Sequence, residues 1–229
     1  MLAMLDPSPT DVVLDLGTGK GNTALAVAPK VARVIAVDLD EGAMRSLREV
    51  VEARGIGSRV DVRCIDVTKP FPVDDGTIDI VTCRAAFHHF SDGQRVLSEV
   101  ARVLRPQGQF NLMDAYFSTM ARDTWNKVAK KRETDLAGFR TLDEQIAMVT
   151  AASLEIRTVV PFLFERHLDE WLEDAPPELR EPLRDEVFAL PQEVLAELHF
   201  RRPPEAPGSE RSGWVYAYNV FELVAVKPG

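Results

Sequence analysis

Apolar positions in the first 115 residues follow two alternating patterns, one typical of buried strands and the other of amphipathic helices. Within 41–54, for example, Met44, Leu47 and Val51 recur at helical spacing, and Gly55 follows the last turn. The predicted strands are 11–17, 33–37, 60–65, 77–83 and 110–113, and the predicted helices are 22–31, 41–54 and a third capped by Ser91. Such alternation predicts an α/β fold, with a parallel sheet and helices on both of its faces.

The second half of the chain has a different pattern, in which prolines interrupt short helical segments. Helices are predicted over 120–136, 142–152, 167–173, 178–188 and 192–200, and strands over 154–164 and 214–226. The stretch RRPPEAPGSERS, 201–212, has no periodicity and is expected to be a loop. The two late strands are separated by a long insertion, which predicts an antiparallel hairpin at the edge of the sheet and brings the sheet to seven strands.

Composition and charge narrow the class of protein. Of the 229 residues, 45% are hydrophobic and 28% charged, a globular balance that excludes a disordered or collagen-like chain. A net charge of −9 argues against binding to nucleic acid or to an anionic membrane. No apolar run approaches the ~20 residues that span a bilayer, and the start, MLAMLDPSPT, lacks the features of a signal peptide. Cys64 and Cys83 form no disulfide framework, so the expected compartment is the cytoplasm.

The strongest local feature is the segment Asp15-Leu16-Gly17-Thr18-Gly19-Lys20-Gly21, at the end of the first predicted strand. Glycines at this point let the backbone approach a ligand closely, and the N-terminus of the next helix favours polar or anionic groups. A tight strand–helix turn without a ligand is the alternative interpretation. A dinucleotide fingerprint would place its third glycine at position 22, where the chain has Asn22, so this loop departs from that fingerprint by one residue.

Two acidic residues follow the next predicted strands. Asp38 comes 21 positions after Gly17, where a carboxylate can accept hydrogen bonds from both hydroxyls of a ribose. The alternative is a simple helix-start acid, for which Asp40 is also available. Asp66 ends the third strand and can accept a hydrogen bond from an adenine amino group, although a turn before Pro70 also suits it. Together with the glycine loop, these residues predict groups for a whole adenosine along three adjacent strand ends.

Four segments, taken in order, resemble the successive motifs of class I S-adenosylmethionine-dependent methyltransferases: VLDLGTGKGNTA, VIAVDLDEGAM, DVTKPFPVDDGTIDIVTCRAAFHHF and VLSEVARVLRPQGQFNLMD. They are most similar to the small-molecule subgroup that includes the ubiquinone and menaquinone biosynthesis C-methyltransferases. The resemblance is strong over about residues 11–115 and weaker beyond them. It implies a Rossmann-like sheet of seven strands, S-adenosylmethionine as the cofactor and a small molecule as the methyl acceptor.

The resemblance also implies a role for each matching residue. Asp15, Gly17, Thr18, Gly19 and Gly21 would surround the methionine and ribose parts of the cofactor, and Arg84 would lie near the methionine part. Asp38 would bind the ribose hydroxyls, Leu39 would pack on the adenine, and Asp66 with the Val67 amide would bind the adenine edge. The family usually has a helical segment before its first strand, whereas ten residues precede position 11 here. The site is therefore open, or the natural start lies further upstream.

Methyl transfer needs a nucleophile held in line with the methyl carbon, and a base where the acceptor must lose a proton. The candidates are His88, His89, Asp114 and His167, and a packing role is the alternative for each histidine. His89 occupies the position at which the resembled subgroup usually has histidine, so it is the preferred catalytic residue. No metal site is expected, because the two histidines are adjacent and the chain has no cysteine cluster.

We therefore expect one methyltransferase domain, 1–229, with a cofactor-binding half, 1–115, and a substrate-side half, 116–229. Aromatic residues of a helical insertion at about 165–212 would either wall the acceptor pocket or only pack the insertion onto the sheet. Two other function classes share parts of the pattern. A non-catalytic module would bind the cofactor and regulate a partner, and a nicotinamide-dependent oxidoreductase would share the glycine loop and the ribose acid. The glycine offset and the block FPVDDGTIDIVTC argue against the oxidoreductase.

Overall fold

A computed structural model describes residues 4–204 and 210–229, so part of the loop predicted over 201–212 lies outside the described residues. The strands are β1 (Val12–Leu16), β2 (Arg33–Asp38), β3 (Val60–Cys64), β4 (Ile78–Arg84), β5 (Leu104–Tyr116), β6 (Glu155–His167) and β7 (Val215–Val226). The helices are α1 (Asn22–Val27), α2 (Glu41–Ala53), α3 (Gly93–Val103), α4 (Thr119–Arg132), α5 (Leu142–Ala151), α6 (Leu168–Glu173), α7 (Arg180–Phe188) and α8 (Gln192–Glu197).

The seven strands form one sheet in the order β3-β2-β1-β4-β5-β7-β6. β1 pairs in parallel with both β2 and β4, and parallel pairing continues from β2 to β3 and from β4 to β5. The strand order therefore reverses between β1 and β4, and ligands of open α/β sheets bind at the carboxyl ends of the strands at such a reversal. The late strands β6 and β7 complete the sheet, which confirms the predicted seven-stranded α/β fold with a final antiparallel hairpin.

Both faces of the central strands are buried, which explains their continuous apolar sequence. In β1, Val13, Leu14 and Leu16 are each at most 1% exposed, although successive side chains of a strand point to opposite faces. Val13 shares an apolar cluster with Val27 of α1 and Leu47 of α2. Because helices cover the sheet in this way, the ends of the strands are the parts most accessible to a ligand.

β5 is longer than the predicted strand 110–113. It begins at Leu104, and residues 105–108 bulge out before pairing with β4 resumes at Gln109. Gln107 adopts a positive φ of 64° within the bulge. Pro106 and Gly108 are residue types that commonly end a strand, but here a bulge accommodates both without ending the pairing.

Helix limits follow local capping groups and proline. The Asp40 side chain caps α2 by accepting hydrogen bonds from two backbone amides of the first turn. Asp92, not the predicted Ser91, caps α3. The first helix ends at Val27 and not at position 31, because Ala28–Lys30 form a 3₁₀ turn with proline at its centre.

The chain divides into two compact units. Unit 1 comprises Met1–Asp114, Asp143–Val160 and Glu222–Gly229, and unit 2 comprises Ala115–Leu142 and Pro161–Phe221. Unit 2 has its own apolar core, in which the ring centroids of Trp125 and Trp171 lie 5.3 Å apart. The expectation of a single domain with a boundary between its halves near residue 115 stays a prediction. None of the helices in the described part of the chain is long and apolar enough to cross a bilayer.

Candidate functional site

The loop between β1 and α1 depends on three glycines in the left-handed region of backbone space. Gly17, Gly19 and Gly21 have φ angles of +62°, +51° and +79°, a conformation that other residues adopt only with strain. A Cβ at Gly17 would lie 2.4 Å from the Cβ of Ala86, and one at Gly21 would lie 2.3 Å from a methyl carbon of Leu47. No described atom lies within 4 Å of a Cβ at Gly19. Gly17 and Gly21 are therefore needed for packing, whereas Gly19 borders open space.

Asp15 and Arg84 place opposite charges at the carboxyl ends of β1 and β4. The Asp15 carboxylate is 2% exposed and accepts hydrogen bonds of 2.6 Å from the hydroxyls of Thr18 and Thr82. Burial raises the pKa of Asp15 above its ordinary value, while the two hydroxyls and the charge of Arg84 act in the opposite direction. The Nε of Arg84 donates to the hydroxyl of Thr23 at 3.1 Å. Arg84 is only partly buried, so it is the more accessible to a ligand of these two charged groups.

Asp38 joins the glycine loop to the end of β2. One of its carboxylate oxygens accepts a 2.8 Å hydrogen bond from the Gly19 amide, and the other accepts one of 3.0 Å from the Asp40 amide. The side chain of Leu39, the next residue, is 68% exposed. A ligand that covered Leu39 would remove this apolar surface from water.

Asp66 and Val67 lie just beyond β3, which pairs with β2 so that Cys64 is opposite Asp38. Oδ1 of Asp66 accepts hydrogen bonds from the amide and the hydroxyl of Thr68, and these bonds lower the pKa of Asp66. Within residues 4–204 and 210–229, Oδ2 of Asp66 and the Val67 amide have no hydrogen-bond partner. They offer one acceptor and one donor side by side, the pairing that an adenine edge requires.

Two histidines follow β4 in a short 3₁₀ helix, Phe87–His89. Asp114 of β5, 2% exposed, accepts a 2.9 Å hydrogen bond from the His88 amide and lies 2.6 Å from the Nδ1 of the His88 ring. The rings of His88 and His89 are 4.4 Å apart between centroids. The carboxylate partner thus belongs to His88, whereas the sequence favoured His89; the catalytic role of either residue stays a prediction. His167, the fourth candidate, precedes α6 in unit 2.

Two polar partners of the site were not found by sequence reasoning. Thr82 is fully buried in β4 and Thr23 lies in the first turn of α1, and both hold charged side chains in place. A period-two pattern identifies neither, because a threonine in an apolar strand also suits simple packing. Cys83 takes no such part: burial, followed by the charges of Asp114 and Asp15, raises the pKa of its thiol and keeps it protonated.

Residues 14–112 match the methyltransferase domain family. YcgJ, an uncharacterized methyltransferase of Bacillus subtilis (strain 168), is 32% identical to the chain over 162 residues, which cover 70% of the chain and 63% of YcgJ. The ubiquinone/menaquinone biosynthesis C-methyltransferase UbiE of Hydrogenovibrio crunogenus is 30% identical over 153 residues, or 61% of the chain and 60% of UbiE. The chain thus matches less than two thirds of the length of either relative.

Solved structures share the fold. The crystal structure of YcgJ superposes with a TM-score of 0.90 at 24% identity and covers 100% of this chain and 97% of that one. A second solved structure is that of geranyl diphosphate C-methyltransferase from Streptomyces coelicolor A3(2), in complex with Mg²⁺, geranyl diphosphate and S-adenosyl-L-homocysteine. It superposes with a TM-score of 0.68 at 16% identity, and the match covers 99% of this chain and 77% of that one. These likenesses confirm the Rossmann-like methyltransferase fold.

Proposed function

We propose that the protein transfers a methyl group from S-adenosylmethionine to a small molecule, on the premise that residues 14–112 match the methyltransferase domain family and that the sheet has the Rossmann-like methyltransferase fold. The observation that carries the proposal is the order of polar groups along three adjacent strand ends. The glycine loop follows β1, Asp38 ends β2 with Leu39 directly after it, and Asp66 with Val67 follows β3.

The residues present fit this cofactor. Gly19 borders open space, so the backbone there can approach a ligand without a side chain in between. We assign the Asp15 carboxylate to the ammonium group and the Arg84 guanidinium to the carboxylate of the methionine part. The Asp38 carboxylate would accept hydrogen bonds from the ribose hydroxyls, Leu39 would cover one adenine face, and Asp66 Oδ2 with the Val67 amide would bind the adenine edge.

When bound, S-adenosylmethionine supplies an electrophilic methyl carbon, so the chain itself needs to hold the acceptor in line and to take up a proton where the acceptor loses one. We propose the histidine segment for the proton step. His89 is the candidate from the sequence, and the contact with Asp114 adds His88. A carboxylate beside Nδ1 favours the tautomer with hydrogen on Nδ1, which leaves Nε2 as the proton-accepting nitrogen.

Separate His88→Gln and His89→Gln variants distinguish these two candidates. Loss of a general base lowers kcat about 10²–10⁴-fold while leaving cofactor affinity unchanged. If both variants turn over at the wild-type rate with an acceptor that must lose a proton, neither histidine is the base. Asp114→Asn should reproduce the effect of the His88 substitution if the pair acts together.

The acceptor is proposed to be a small molecule, since several relatives are named for small molecules: an arsenite methyltransferase, a sarcosine/dimethylglycine N-methyltransferase and a ubiquinone biosynthesis O-methyltransferase. We place its selection in unit 2, where Phe164 is 45% exposed and lies 5.7 Å from Tyr218 between ring centroids. Trp171, by contrast, is 3% exposed within the core of unit 2. Phe164→Ala should change acceptor turnover and leave cofactor affinity within about twofold, or under 0.5 kcal/mol. The cytoplasm stays our proposed compartment.

Calorimetry tests the cofactor assignment directly. S-adenosylmethionine and S-adenosylhomocysteine should bind with dissociation constants in the micromolar range, roughly −7 to −8 kcal/mol, and NAD should not bind. An absence of heat and of thermal shift at millimolar S-adenosylhomocysteine would contradict the proposal. Binding without methyl turnover across a panel of quinols, phenols and amines would instead favour the non-catalytic regulatory module.

A further inference from the structure

Unit 2 contains a concave site of its own, distinct in composition from the polar strand ends of unit 1. It has a volume of about 680 Å³ and is lined by residues from the ends of α7 and α8 and from the segment before β7. Ligand pockets of proteins commonly measure about 300–1,000 Å³. We call this site the aromatic cleft and define it by six of its lining residues: Phe188, Gln192, His199, Phe200, Arg201 and Trp214.

Three aromatic rings form one wall of the aromatic cleft. The rings of Phe200 and Trp214 stack nearly parallel, with centroids 4.7 Å apart and planes 14° from each other. Phe188 meets both of them edge-on, at 5.6 Å and 5.2 Å. All three side chains are only partly buried. Phe200 and Trp214 each cover one face of the other, so a planar ligand ring can pack on the outer face of one of them or along their edges.

His199 stands at a position where the backbone favours glycine. After α8, the Phe200 amide donates to the Leu195 carbonyl and the His199 amide donates to the Ala196 carbonyl, the two bonds of a Schellman helix end. The central residue of that motif is left-handed, and His199 has a φ of +46°. Since glycine would fit without strain, the stability of the fold gives no reason for an imidazole here. The exposed side chain of His199 lines the aromatic cleft, and a role in this cleft would be a reason for an imidazole at this position.

Arg201 adds a cation to the same cleft. Its backbone forms an antiparallel bridge with Val215, with two hydrogen bonds of 2.9 Å, which fixes the segment beside Trp214. Its guanidinium pairs with the Glu165 carboxylate and donates to the His199 carbonyl at 3.3 Å. Glu165 itself does not line the cleft, and none of the described lining residues is acidic. The cleft therefore combines apolar walls with hydrogen-bond donors, and a ligand carboxylate would share the guanidinium of Arg201, which has five N–H donors, with Glu165.

We propose that the aromatic cleft is a binding site for a planar aromatic carboxylate. The ring of the ligand lies against Phe200 and Trp214, and its carboxylate accepts hydrogen bonds from the imidazole of His199 and the guanidinium of Arg201. This inference goes beyond the proposed methyl transfer and does not depend on it, because every residue that carries it belongs to unit 2.

The test uses the full chain, 1-naphthoate as the probe and ¹⁹F NMR of protein labelled with 5-fluorotryptophan. The chain has three tryptophans, and Trp214→Phe identifies the Trp214 resonance. Addition of 1-naphthoate should shift that resonance, while the resonances of Trp125 and Trp171, both 3% exposed, should stay in place. The neutral analogue 1-naphthalenemethanol should bind at least fivefold more weakly.

His199→Gly separates a role in binding from a role in folding. This variant should raise the melting temperature, because glycine suits the left-handed position, and should weaken 1-naphthoate binding at least fivefold. Arg201→Gln should weaken binding to a similar degree, and Arg157→Gln, an exposed arginine of unit 1, should leave it unchanged. Equal binding of the neutral analogue, an unshifted Trp214 resonance, or unchanged affinity in the folded His199→Gly variant would each overturn the proposal.

Discussion

Asp38 accepts hydrogen bonds from two backbone segments that follow different strands, because Gly19 follows β1 and Asp40 follows β2. Each carboxylate oxygen has a further lone pair, so the same side chain can also accept bonds from a ligand. Asp40, two residues on, has a different role, because it caps α2 by accepting bonds from Gly42 and Ala43. The two acids are neighbours, but only Asp38 contacts the glycine loop.

Asp38→Ala should therefore weaken binding of S-adenosylhomocysteine by about 1.5–3 kcal/mol, the cost of losing hydrogen bonds to a charged group. Calorimetry measures the change. Asp40→Ala is the matched control, which should lower the free energy of unfolding by about 0.5–2 kcal/mol through loss of a helix cap and leave affinity nearly unchanged. If Asp38→Ala folds and binds as tightly as wild type, the ribose lies elsewhere.

Asp15→Asn should reveal the cost of burying a carboxylate. The pKa of Asp15 is raised in the fold by burial, so the unfolded chain releases its proton first, near the ordinary pKa of about 3.9. The contribution of Asp15 to the free energy of unfolding of the wild type is therefore largest at low pH, and it decreases as the pH rises through the raised pKa. Asparagine does not titrate, so the ligand-free variant should gain stability relative to wild type between pH 4 and pH 7, as measured by urea unfolding.

Asp61 provides a control of opposite sign for that experiment. Hydrogen bonds from Arg63 and Arg33 hold the pKa of Asp61 below its ordinary value. Its contribution to stability is present above the unfolded pKa and is lost as pH falls, so Asp61→Asn should lose stability relative to wild type at pH 7 and recover it in acid. A pH trend of the same sign in both variants would contradict the burial argument for Asp15.

Sequence reasoning located polar residues at strand ends best where one residue type and its place near the end of a predicted strand were enough. Asp38 is the last residue of β2, and Asp66 comes two residues after the end of β3. Thr82 escaped notice because its function depends on the buried Asp15 across the strand pair. The sequence could not show which of the adjacent residues His88 and His89 contacts Asp114. The backbone of the 3₁₀ helix orients the two rings, and it directs the His88 ring to Asp114.

The three glycines of the β1–α1 loop have different surroundings. Substitutions at these positions should therefore have different effects on stability and on ligand binding. A Cβ at Gly17 would overlap the Cβ of Ala86, which cannot rotate away, whereas a Cβ at Gly19 would meet no described atom. Gly17→Ala should thus lower the free energy of unfolding by about 1–3 kcal/mol from overpacking, in addition to backbone strain. Gly19→Ala should lose only about 1–2 kcal/mol from its left-handed backbone.

The binding measurement should rank these two variants in the reverse order. In folded protein, Gly19→Ala should weaken S-adenosylhomocysteine binding at least tenfold, about 1.4 kcal/mol, because its methyl group enters the space that Gly19 borders. Thermal unfolding and calorimetry on both variants supply the comparison. A Gly19→Ala protein that binds normally would show that the open space beside this loop is not the cofactor site.

Strand–helix alternation predicted the sheet because each strand is short, apolar and bounded by glycine, proline or a cap. The length of β5 could not be predicted in this way. Its first part contains Pro106 and Gly108, which usually end a strand, and pairing resumes only because Gln109 rejoins β4 after a bulge. Such a bulge depends on the neighbouring strands, which local propensity does not encode.

The two units are interleaved along the chain, and no local pattern marked the later limits near residues 142, 160 and 221. Unit 1 also includes Asp143–Val160 and Glu222–Gly229, and each of these segments follows a segment of unit 2 along the chain. Boundaries of this kind are set by contacts between residues far apart in sequence, whereas composition shifts mark only continuous domains with linkers. The predicted change near residue 115 reflected the end of the strand–helix alternation, which is a local signal.

Hydrogen exchange on the full chain should assign the cofactor to unit 1. At S-adenosylhomocysteine concentrations of 100 times the dissociation constant, binding stabilises the folded state by about 2.7 kcal/mol. The largest gain in protection should fall on peptides that contain the glycine loop, Asp38–Leu39 and Asp66–Val67, since these residues would contact the ligand. A largest gain in unit 2 would contradict the assignment.

The exposed side chain of Leu39 has a calorimetric consequence. Covering apolar surface on binding lowers the heat capacity, so the binding enthalpy becomes more negative as temperature rises. If adenine covers Leu39, which is 68% exposed in the free protein, part of that temperature dependence belongs to this one residue. Leu39→Ser should make the slope of enthalpy against temperature shallower. An unchanged slope would mean that the leucine stays in water when the cofactor binds, and that the adenine ring rests on another surface.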